Sequence, residues 1–199
     1  MNDKTIHWAG TVNMDHLAND ERFRAIWLAT EGIPGSFTRL NAAKLYEYAL
    51  QMPENGTIVE IGVDQGRSTT ILFNIAREKH ANLILVDSWE SILIDNYYKV
   101  GKLRDQFPDV TTAIWREKSA DAAAHLDVDI DLLHIDAHHY EGGVDVDCQV
   151  WLPKLKSGGV VCFHDYASTF PAVTEAVDAC TEDWEDLGAW DSLAIRRKP

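Results

Sequence analysis

The chain has 199 residues, of which 46% are apolar, and this is enough to form one domain with a sizeable buried core. Its 32 acidic and 18 basic residues give a formal net charge of −14. Proteins that bind nucleic acids or anionic membrane surfaces do so through clustered Lys and Arg. This sequence is instead acidic overall, so neither is an expected partner. The sequence shows no signal-peptide pattern and no apolar run of the ~20 residues that span a bilayer, and we therefore expect a cytoplasmic protein.

The N-terminal part has helical periodicity in two segments, 15–30 and 39–51, which are joined by a loop containing glycine and proline. Beyond it, strand and helix patterns alternate, and two strands without an intervening helix close the chain. The predicted strands are 57–61, 82–86, 110–115, 130–135, 160–163, 184–187 and 193–196. The predicted helices between them are 67–79, 92–106, 120–125, 144–152 and 172–180, and the residues Lys156-Ser-Gly-Gly are interpreted as a break before the fifth strand.

This alternation predicts an α/β fold, a Rossmann-like three-layer sandwich. We expect a mainly parallel seven-stranded sheet with an antiparallel last strand. Residues 1–52 are expected to form an N-terminal helical cap within the same domain, and residues 53–199 to form the ligand-binding catalytic domain.

The first strand of this sheet turns into its helix at Glu60-Ile-Gly-Val-Asp-Gln-Gly-Arg-Ser68. Gly62 and Gly66 let the backbone approach a ligand closely, and the helix N-terminus offers free N–H groups. The spacing Gly-x-x-x-Gly differs from the Gly-x-Gly-x-x-Gly dinucleotide fingerprint, which argues against NAD. Asp87 ends the second strand, where an acid can bind both hydroxyls of a ribose. Together these features predict an adenosine-containing ligand, and Trp89 is either a packing residue or a platform for the base.

Two later strands, 130–135 and 160–163, each stop at an aspartate, Asp136 and Asp165, with histidines nearby. The carboxyl ends of neighbouring parallel strands point into one site. Carboxylates are hard oxygen ligands that suit Mg²⁺ or Mn²⁺, and an imidazole suits a general base at neutral pH. These residues therefore predict that the chain carries out chemistry at this edge of the sheet.

Taken in order, these motifs resemble those of the class I S-adenosylmethionine-dependent methyltransferases. The likeness is to a bacterial branch that is related to the metal-dependent O-methyltransferases and carries an Asp-Gly/Ala-x-His and a Gly-His-Asp-Tyr-like element. It covers roughly residues 35–168 and is carried by the segments 59–69, 86–90, 130–141, 151–159 and 163–166.

The resemblance implies an S-adenosylmethionine site. In it, the glycine loop would line the methionine part, Asp87 would hold the ribose hydroxyls and Ser119 would contact the adenine. The predicted cofactor-binding residues are Glu60, Gly62, Gly66, Ser68, Asp87, Trp89, Ser119 and Asp136.

The resemblance also implies a divalent ion, Mg²⁺ or Mn²⁺, bound by Asp136 and Asp165. His164 stands where some relatives have Glu, so it is either a third metal ligand or a residue that orients Asp165 from behind.

The family's general base lies three residues after the first aspartate, and this position is His139. The following Tyr-Glu pair comes one residue sooner here than in the family pattern. A local shift of one residue would make His138 the equivalent, and of the two we prefer His139.

These roles predict transfer of a methyl group to a hydroxyl oxygen of a small acceptor molecule. Two alternative hypotheses remain open. The first is a metal-dependent hydrolase on a Rossmann-like fold, which would use the His/Asp cluster to activate water. The second is a non-catalytic S-adenosylmethionine-binding protein. The sequence leaves open whether the chain forms a homo-oligomer.

Other reactive residue types are interpreted as structural. The three cysteines are odd in number and lack metal-site spacing, and Cys162, in an apolar run, is expected to be a core residue of a reduced compartment. His134 lies inside a predicted strand and is expected to be an interior histidine with its hydrogen bonds satisfied. Asp145 and Asp147 are expected on the solvated face of a helix.

Overall fold

The computed structural model describes residues 6–7, 20–90, 94–136 and 143–199. Its helices are α1 Glu21–Ala29, α2 Arg39–Ala49, α3 Arg67–Lys79, α4 Ile94–Arg104, α5 Ser119–His125, α6 Gly143–Trp151 and α7 Pro171–Cys180. Its strands are β1 Ile6–His7, β2 Thr57–Ile61, β3 Asn82–Val86, β4 Thr112–Trp115, β5 Ile130–Ile135, β6 Leu155–Phe163, β7 Glu185–Trp190 and β8 Leu193–Arg197. The short 3₁₀ turn Leu152–Lys154 connects α6 to β6.

All these strands form one sheet in the order β1-β7-β8-β6-β5-β2-β3-β4. Only β8 runs antiparallel to its neighbours, β6 and β7, so the predicted parallel sheet with its final hairpin is confirmed. The two-residue strand β1, which adds an eighth strand beside β7, was not predicted. The order reverses between β2 and β5, and such a switch point opens a crevice beyond the carboxyl ends of the strands.

The sheet is covered on both faces, which gives the predicted three layers. Successive strand residues point to opposite faces, and accordingly Ile58 belongs to one buried cluster and Val59 to the other. The first cluster joins the sheet to α1, α2, α3 and α4, and the second joins it to α5, α6 and α7. The N-terminal helices thus pack on the α3 side of the sheet, where the rings of Phe23 and Tyr46 lie 5.4 Å apart.

Element boundaries agree with the prediction to within a few residues except at β6. This strand begins at Leu155 instead of Val160, so the predicted break at Lys156-Ser-Gly-Gly is wrong. The pairing with β5 jumps from Ile130↔Leu155 to Leu132↔Val160, so the residues between form a bulge inside the strand. Gly158, with φ of 76°, allows that bend.

The first predicted helix, 15–30, is described only from residue 20 onward. There Asp20 caps α1 by accepting hydrogen bonds from the backbone N–H groups of Arg22 and Phe23. Across the described part of the chain, no helix combines the length and the apolar composition that crossing a membrane requires.

Candidate active site

The turn between β2 and α3 is a loop whose shape depends on glycine. Gly62 and Gly66 have φ values of 84° and 89°, in the left-handed region that side chains disfavour. Gly66 is also tightly packed, because a Cβ atom there would lie 2.9 Å from Cδ2 of Leu103. It is the residue before the first turn of α3, where the backbone N–H groups lack helical partners. The two glycines are therefore required by the backbone itself.

The carboxylate of Asp87, at the end of β3, holds this loop in place. Its Oδ2 atom accepts hydrogen bonds from the backbone N–H groups of Val63 and Asp64, each at 2.9 Å. Its Oδ1 atom accepts one from the N–H of Trp89 at 2.8 Å. Hydrogen bonds to an ionised acceptor are the stronger kind. Sequence reasoning predicted a ribose ligand for Asp87 but missed this second role as the organiser of the glycine loop.

Glu60 lies behind the loop and is fully buried. It accepts hydrogen bonds from Ser68 Oγ at 2.5 Å and Thr69 Oγ1 at 2.6 Å, and His134 Nδ1 lies 3.2 Å from it. Glu60 therefore fixes the start of α3 onto β2. His134 is interior as predicted, but its Nε2 atom has no hydrogen-bond partner within the described structure, so the expectation of full satisfaction is wrong.

Trp89 is also fully buried, and its Nε1 donates a hydrogen bond to the carbonyl of Asp64 at 2.8 Å. Its ring packs edge-on against Tyr97 at 5.2 Å. This placement favours the interpretation of Trp89 as a packing residue over that of a platform for the base. A direct contact with a ligand would require the ring to leave the core.

Asp136 and Asp165 are brought together by the strand register. Ile135 pairs with Phe163 across β5 and β6, so the residues that follow lie side by side. His164 Nδ1 lies 3.1 Å from Asp136 Oδ1 and 3.3 Å from Asp165 Oδ2, while its Nε2 lies 3.1 Å from Ser192 Oγ. One ligand atom from each of Asp136, His164 and Asp165 lies within 4.8 Å of the others.

Charge holds this cluster together. Burial opposes a charged imidazole, but hydrogen bonds and attraction to the carboxylates of Asp136 and Asp165 outweigh it and raise the pKa of His164 to about 10. Asp165 has φ of 57°, a left-handed conformation that is unusual for a residue with a side chain. Such strain is often found at functional sites, where the surrounding structure enforces it.

Ser119, the first residue of α5, joins two helices. Its Oγ donates a short hydrogen bond to Asp147 and accepts one from Trp151 Nε1 at 2.7 Å. Asp147 is 3% exposed, so the prediction that it lies on a solvated helix face is wrong, although Asp145 is exposed as expected. Because α6 packs against α5, the side of the helix that carries Asp147 turns inward.

These groups surround one cavity of about 890 Å³ at the switch point of the sheet. Six of the predicted site residues line it, namely Gly62, Ser68, Asp87, Ser119, Asp136 and Asp165. Glu60, Gly66, Trp89 and His164 lie behind this lining. The two candidate bases, His138 and His139, fall outside the described residues, between Asp136 and Gly143 of the cavity wall.

Sequence reasoning did not identify how the N-terminal region closes the cavity. The loop 34–37 forms part of the wall. Arg67 Nη1 donates hydrogen bonds to the carbonyls of Ile33 at 3.0 Å and Gly35 at 3.2 Å, and its guanidinium lies 5.3 Å from the ring of Trp27. The sequence offers only a weak signal for this contact, namely a glycine-rich loop and an arginine after the second glycine.

Comparison with known proteins agrees with this geometry. A family model described as a methyltransferase domain matches residues 59–166, more than half of the chain. An uncharacterized protein, y4gI of Sinorhizobium fredii, is 46% identical over 39 residues, which are 20% of this chain and 4% of that protein. The chain thus spans a small fraction of this curated relative's length.

Two solved structures share the fold. The apo structure of CalS11, a TDP-rhamnose 3′-O-methyltransferase of calicheamicin biosynthesis, has a TM-score of 0.63 at 16% identity, covering 94% of this chain and 95% of that one. The S-adenosylhomocysteine-bound methyltransferase PaMTH1 of Podospora anserina has a TM-score of 0.67 at 14% identity, covering 90% and 88%.

The family match accounts for the glycine loop and the acid at the end of β3, for which a metal-dependent hydrolase has no use. It also favours an enzyme over a non-catalytic binding protein. The chain therefore belongs to the methyltransferase domain family.

Proposed function

We propose that the enzyme transfers the methyl group of S-adenosylmethionine to a hydroxyl oxygen of a small acceptor molecule. The observation that carries this proposal is the shared cavity. The glycine loop, Asp87 and Ser119 line one part of its wall, and Asp136 and Asp165 line another. A sulfonium methyl group is already activated, so a protein that aligns donor and acceptor supplies much of the rate.

The cofactor part of the cavity offers donors and acceptors in fixed positions. Three backbone N–H groups orient Asp87 and occupy three of the roughly four lone-pair positions of its carboxylate, so Oδ1 retains one for a hydroxyl of a ribose. The backbone around Gly62 would lie along the methionine part. Ser119 lies at the start of α5, where an adenine would be bound, and Glu60 would act on the ligand through the loop that it anchors.

The acceptor part would take up the proton of the hydroxyl group. His139 is the proposed general base, with His138 as the alternative, because they lie three and two residues after Asp136, and the residues that flank this segment, Asp136 and Gly143, line the cavity wall. An imidazole with an ordinary pKa exchanges a proton at neutral pH. Asp136 and Asp165 would receive the acceptor molecule beside this base.

The charge of the wall favours an acceptor without phosphate groups. The described wall residues include the seven carboxylates of Asp64, Asp87, Glu90, Glu117, Asp136, Asp147 and Asp165, but only two cationic side chains, Arg67 and Lys118. Arg67 is already engaged with backbone carbonyls. A wall of this sign attracts the cationic sulfonium cofactor and repels anionic acceptors.

A divalent ion fits the donor set formed by Asp136 and Asp165. Carboxylate oxygens suit Mg²⁺ or Mn²⁺, and the ligand atoms are close enough to share one ion. His164 already uses Nδ1 toward both carboxylates and Nε2 toward Ser192, so it would position these ligands instead of joining them. When bound, such an ion would polarise the acceptor hydroxyl and lower its pKa.

The first experiment is titration calorimetry with S-adenosylmethionine on the wild type and on Asp87→Ala. Losing the ribose contacts and the loop anchor should weaken binding by about 100-fold, since hydrogen bonds to charged groups contribute about 1.5 to 3 kcal/mol each. Asp109→Ala is the matched control, because Asp109 is an exposed acid paired with Arg77 and is absent from the cavity wall.

Unchanged affinity in a folded Asp87→Ala variant would refute the proposed cofactor site. Repeating the titration with Mg²⁺, and following bound Mn²⁺ by its electron paramagnetic resonance signal in Asp136→Asn, separates the metal from the cofactor. The acceptor is then sought by incubating the enzyme with neutral and phosphorylated hydroxyl compounds and detecting methylated products by mass spectrometry. Methylation of phosphorylated compounds alone would contradict the charge argument.

A further inference from the structure

Two of the three cysteines meet at the interface between α6 and α7, away from the cavity wall. Cys148, on α6, and Cys180, the last residue of α7, are 32 positions apart in sequence, and their Sγ atoms lie 2.7 Å apart. Cys148 is buried and Cys180 is partly exposed. Cys162 lies on β6, fully buried in the other core cluster. The odd cysteine count therefore resolves into one pair and one core residue.

We propose that Cys148 and Cys180 form a redox-active dithiol that oxidises to an intrachain disulfide linking α6 to α7. A disulfide requires a sulfur–sulfur distance of about 2.05 Å, so the two atoms need to approach by only about 0.7 Å. Both side chains already pack in one apolar cluster, which also contains Val173 and Val177 of α7. The packing of the two helices thus already brings the two sulfurs together.

The environment of the pair sets the order of the reaction. A hydrogen bond with Cys180, burial and the nearby carboxylates of Asp147 and Asp145 raise the pKa of the Cys148 thiol far above its usual range. Cys148 is buried and shielded, whereas Cys180 is partly exposed and is the accessible sulfur. Burial likewise raises the pKa of the Cys162 thiol, which leaves that residue unreactive in the folded protein.

A low-molecular-weight disulfide, such as glutathione disulfide, is the oxidant class that fits this arrangement. The Cys180 thiolate attacks one sulfur of that disulfide, forms a mixed disulfide and releases one small thiol. Cys148 then attacks Cys180 Sγ, and its proton passes to the departing sulfur, which leaves as the second small thiol. Two protein thiols thereby lose two electrons and two protons, and the small disulfide gains both.

The link would fix a helix that forms part of the active-site wall. Gly143, Val146 and Asp147 of α6 line the cavity, and Asp147 holds Ser119. Oxidation would join α6 to α7 in the arrangement that it already has. We therefore expect a more stable protein with an intact cofactor site, with the thermal midpoint raised by roughly 5 to 10 °C.

The experiment compares the intact mass and the alkylation of native protein before and after treatment with glutathione disulfide. We expect the mass to fall by two hydrogens, and denatured oxidised protein to be alkylated only at Cys162. Cys180→Ser, as matched control, should show neither the mass loss nor the rise in thermal midpoint. The pair is independent of the methyl donor, so a failed cofactor titration would leave this result interpretable.

Three outcomes would overturn the proposal. A glutathione adduct that persists on Cys180, with Cys148 still open to alkylation after denaturation, would show that the two sulfurs do not reach each other. Three free thiols after prolonged oxidation of the folded wild type would show that Cys180 does not react. A disulfide mapped by peptide digestion to any pair that includes Cys162 would also contradict the assignment.

Discussion

The two halves of the active-site cavity are built by different forces. At the ends of β2 and β3, a single carboxylate, Asp87, binds three backbone N–H groups and fixes a loop of glycines. At the ends of β5 and β6, the contacts are between side chains, with His164 placed between Asp136 and Asp165. The first half depends on backbone shape, and the second depends on a balance of charge.

This difference separates the tasks of the two halves. A cofactor that is the same in every reaction cycle is best met by a rigid backbone site, whose geometry survives most changes of side chain. The acceptor half must handle a proton and a changing charge, and ionisable side chains do this. The comparison predicts that mutations in the first half act through backbone strain and mutations in the second act through electrostatics.

The largest effect is expected from His164→Ala in the charge-based half. Removing the buried cation leaves two carboxylates facing each other, and breaking a buried ion pair costs about 3 to 5 kcal/mol. Chemical denaturation should show this loss of unfolding free energy, and millimolar Mg²⁺ should restore part of it by supplying positive charge. The double variant His164→Ala with Asp136→Asn should be less destabilised than the single one. If the two losses simply add, the residues are not coupled.

In the backbone-based half, Gly66→Ala is expected to cost about 1 to 3 kcal/mol of stability. Alanine would have to adopt the left-handed backbone of this position, and its Cβ would lie 2.9 Å from Cδ2 of Leu103. The affinity for S-adenosylmethionine, measured by calorimetry, should also fall, because the glycine loop has to shift to accommodate the new side chain.

Gly101→Ala is the matched control, since a Cβ there meets nothing within 4 Å on α4 and alanine favours a helix by about 1 kcal/mol. Equal stabilities of the two variants would show that the glycine loop tolerates a side chain. The role assigned to backbone strain would then be wrong.

How much of each half could be predicted depends on whether its features are set locally in the sequence or by packing. Gly62, Gly66 and Asp87 were found because their requirements are local, namely a backbone angle and the end of a strand. The meeting of Asp136 and Asp165 was found because parallel strands bring their carboxyl ends together. The mainly parallel sheet and its antiparallel last strand followed from the alternation of helix and strand patterns.

Features that depend on distant packing could not be predicted. Asp147 has the composition of an exposed helix residue, and only the position of α5 turns it inward. The contact of Cys148 with Cys180 needs the packing of two helices, which no spacing in the sequence reveals. The bulge at Lys156-Ser-Gly-Gly has the composition of a loop, yet both ends of it pair with β5.

A smaller and local effect is expected for Arg67→Lys, at the edge between the two halves. Lysine keeps the charge but lacks the forked guanidinium that reaches the carbonyls of Ile33 and Gly35. Losing about 1 kcal/mol of hydrogen-bond stabilisation there should raise the rate of amide hydrogen exchange in residues 33–37 by about fivefold. Arg104→Lys, an exposed arginine paired with Asp105, is the control and should leave that loop unchanged. Unaltered exchange in Arg67→Lys would show that the loop is held by other contacts.

The smallest effect on the cofactor is expected for Trp89→Phe, which tests where the backbone-based half ends. The buried indole donates a hydrogen bond to the carbonyl of Asp64, and phenylalanine cannot make this bond. The substitution should therefore lower the free energy of unfolding by about 1 to 2 kcal/mol. Affinity for S-adenosylmethionine should nevertheless stay within about threefold, because Trp89 lies behind the wall and the N–H that binds Asp87 belongs to the backbone. A tenfold loss of affinity in a folded variant would instead mean that the indole reaches the adenine. The rigid site would then include an aromatic side chain that moves when the cofactor binds.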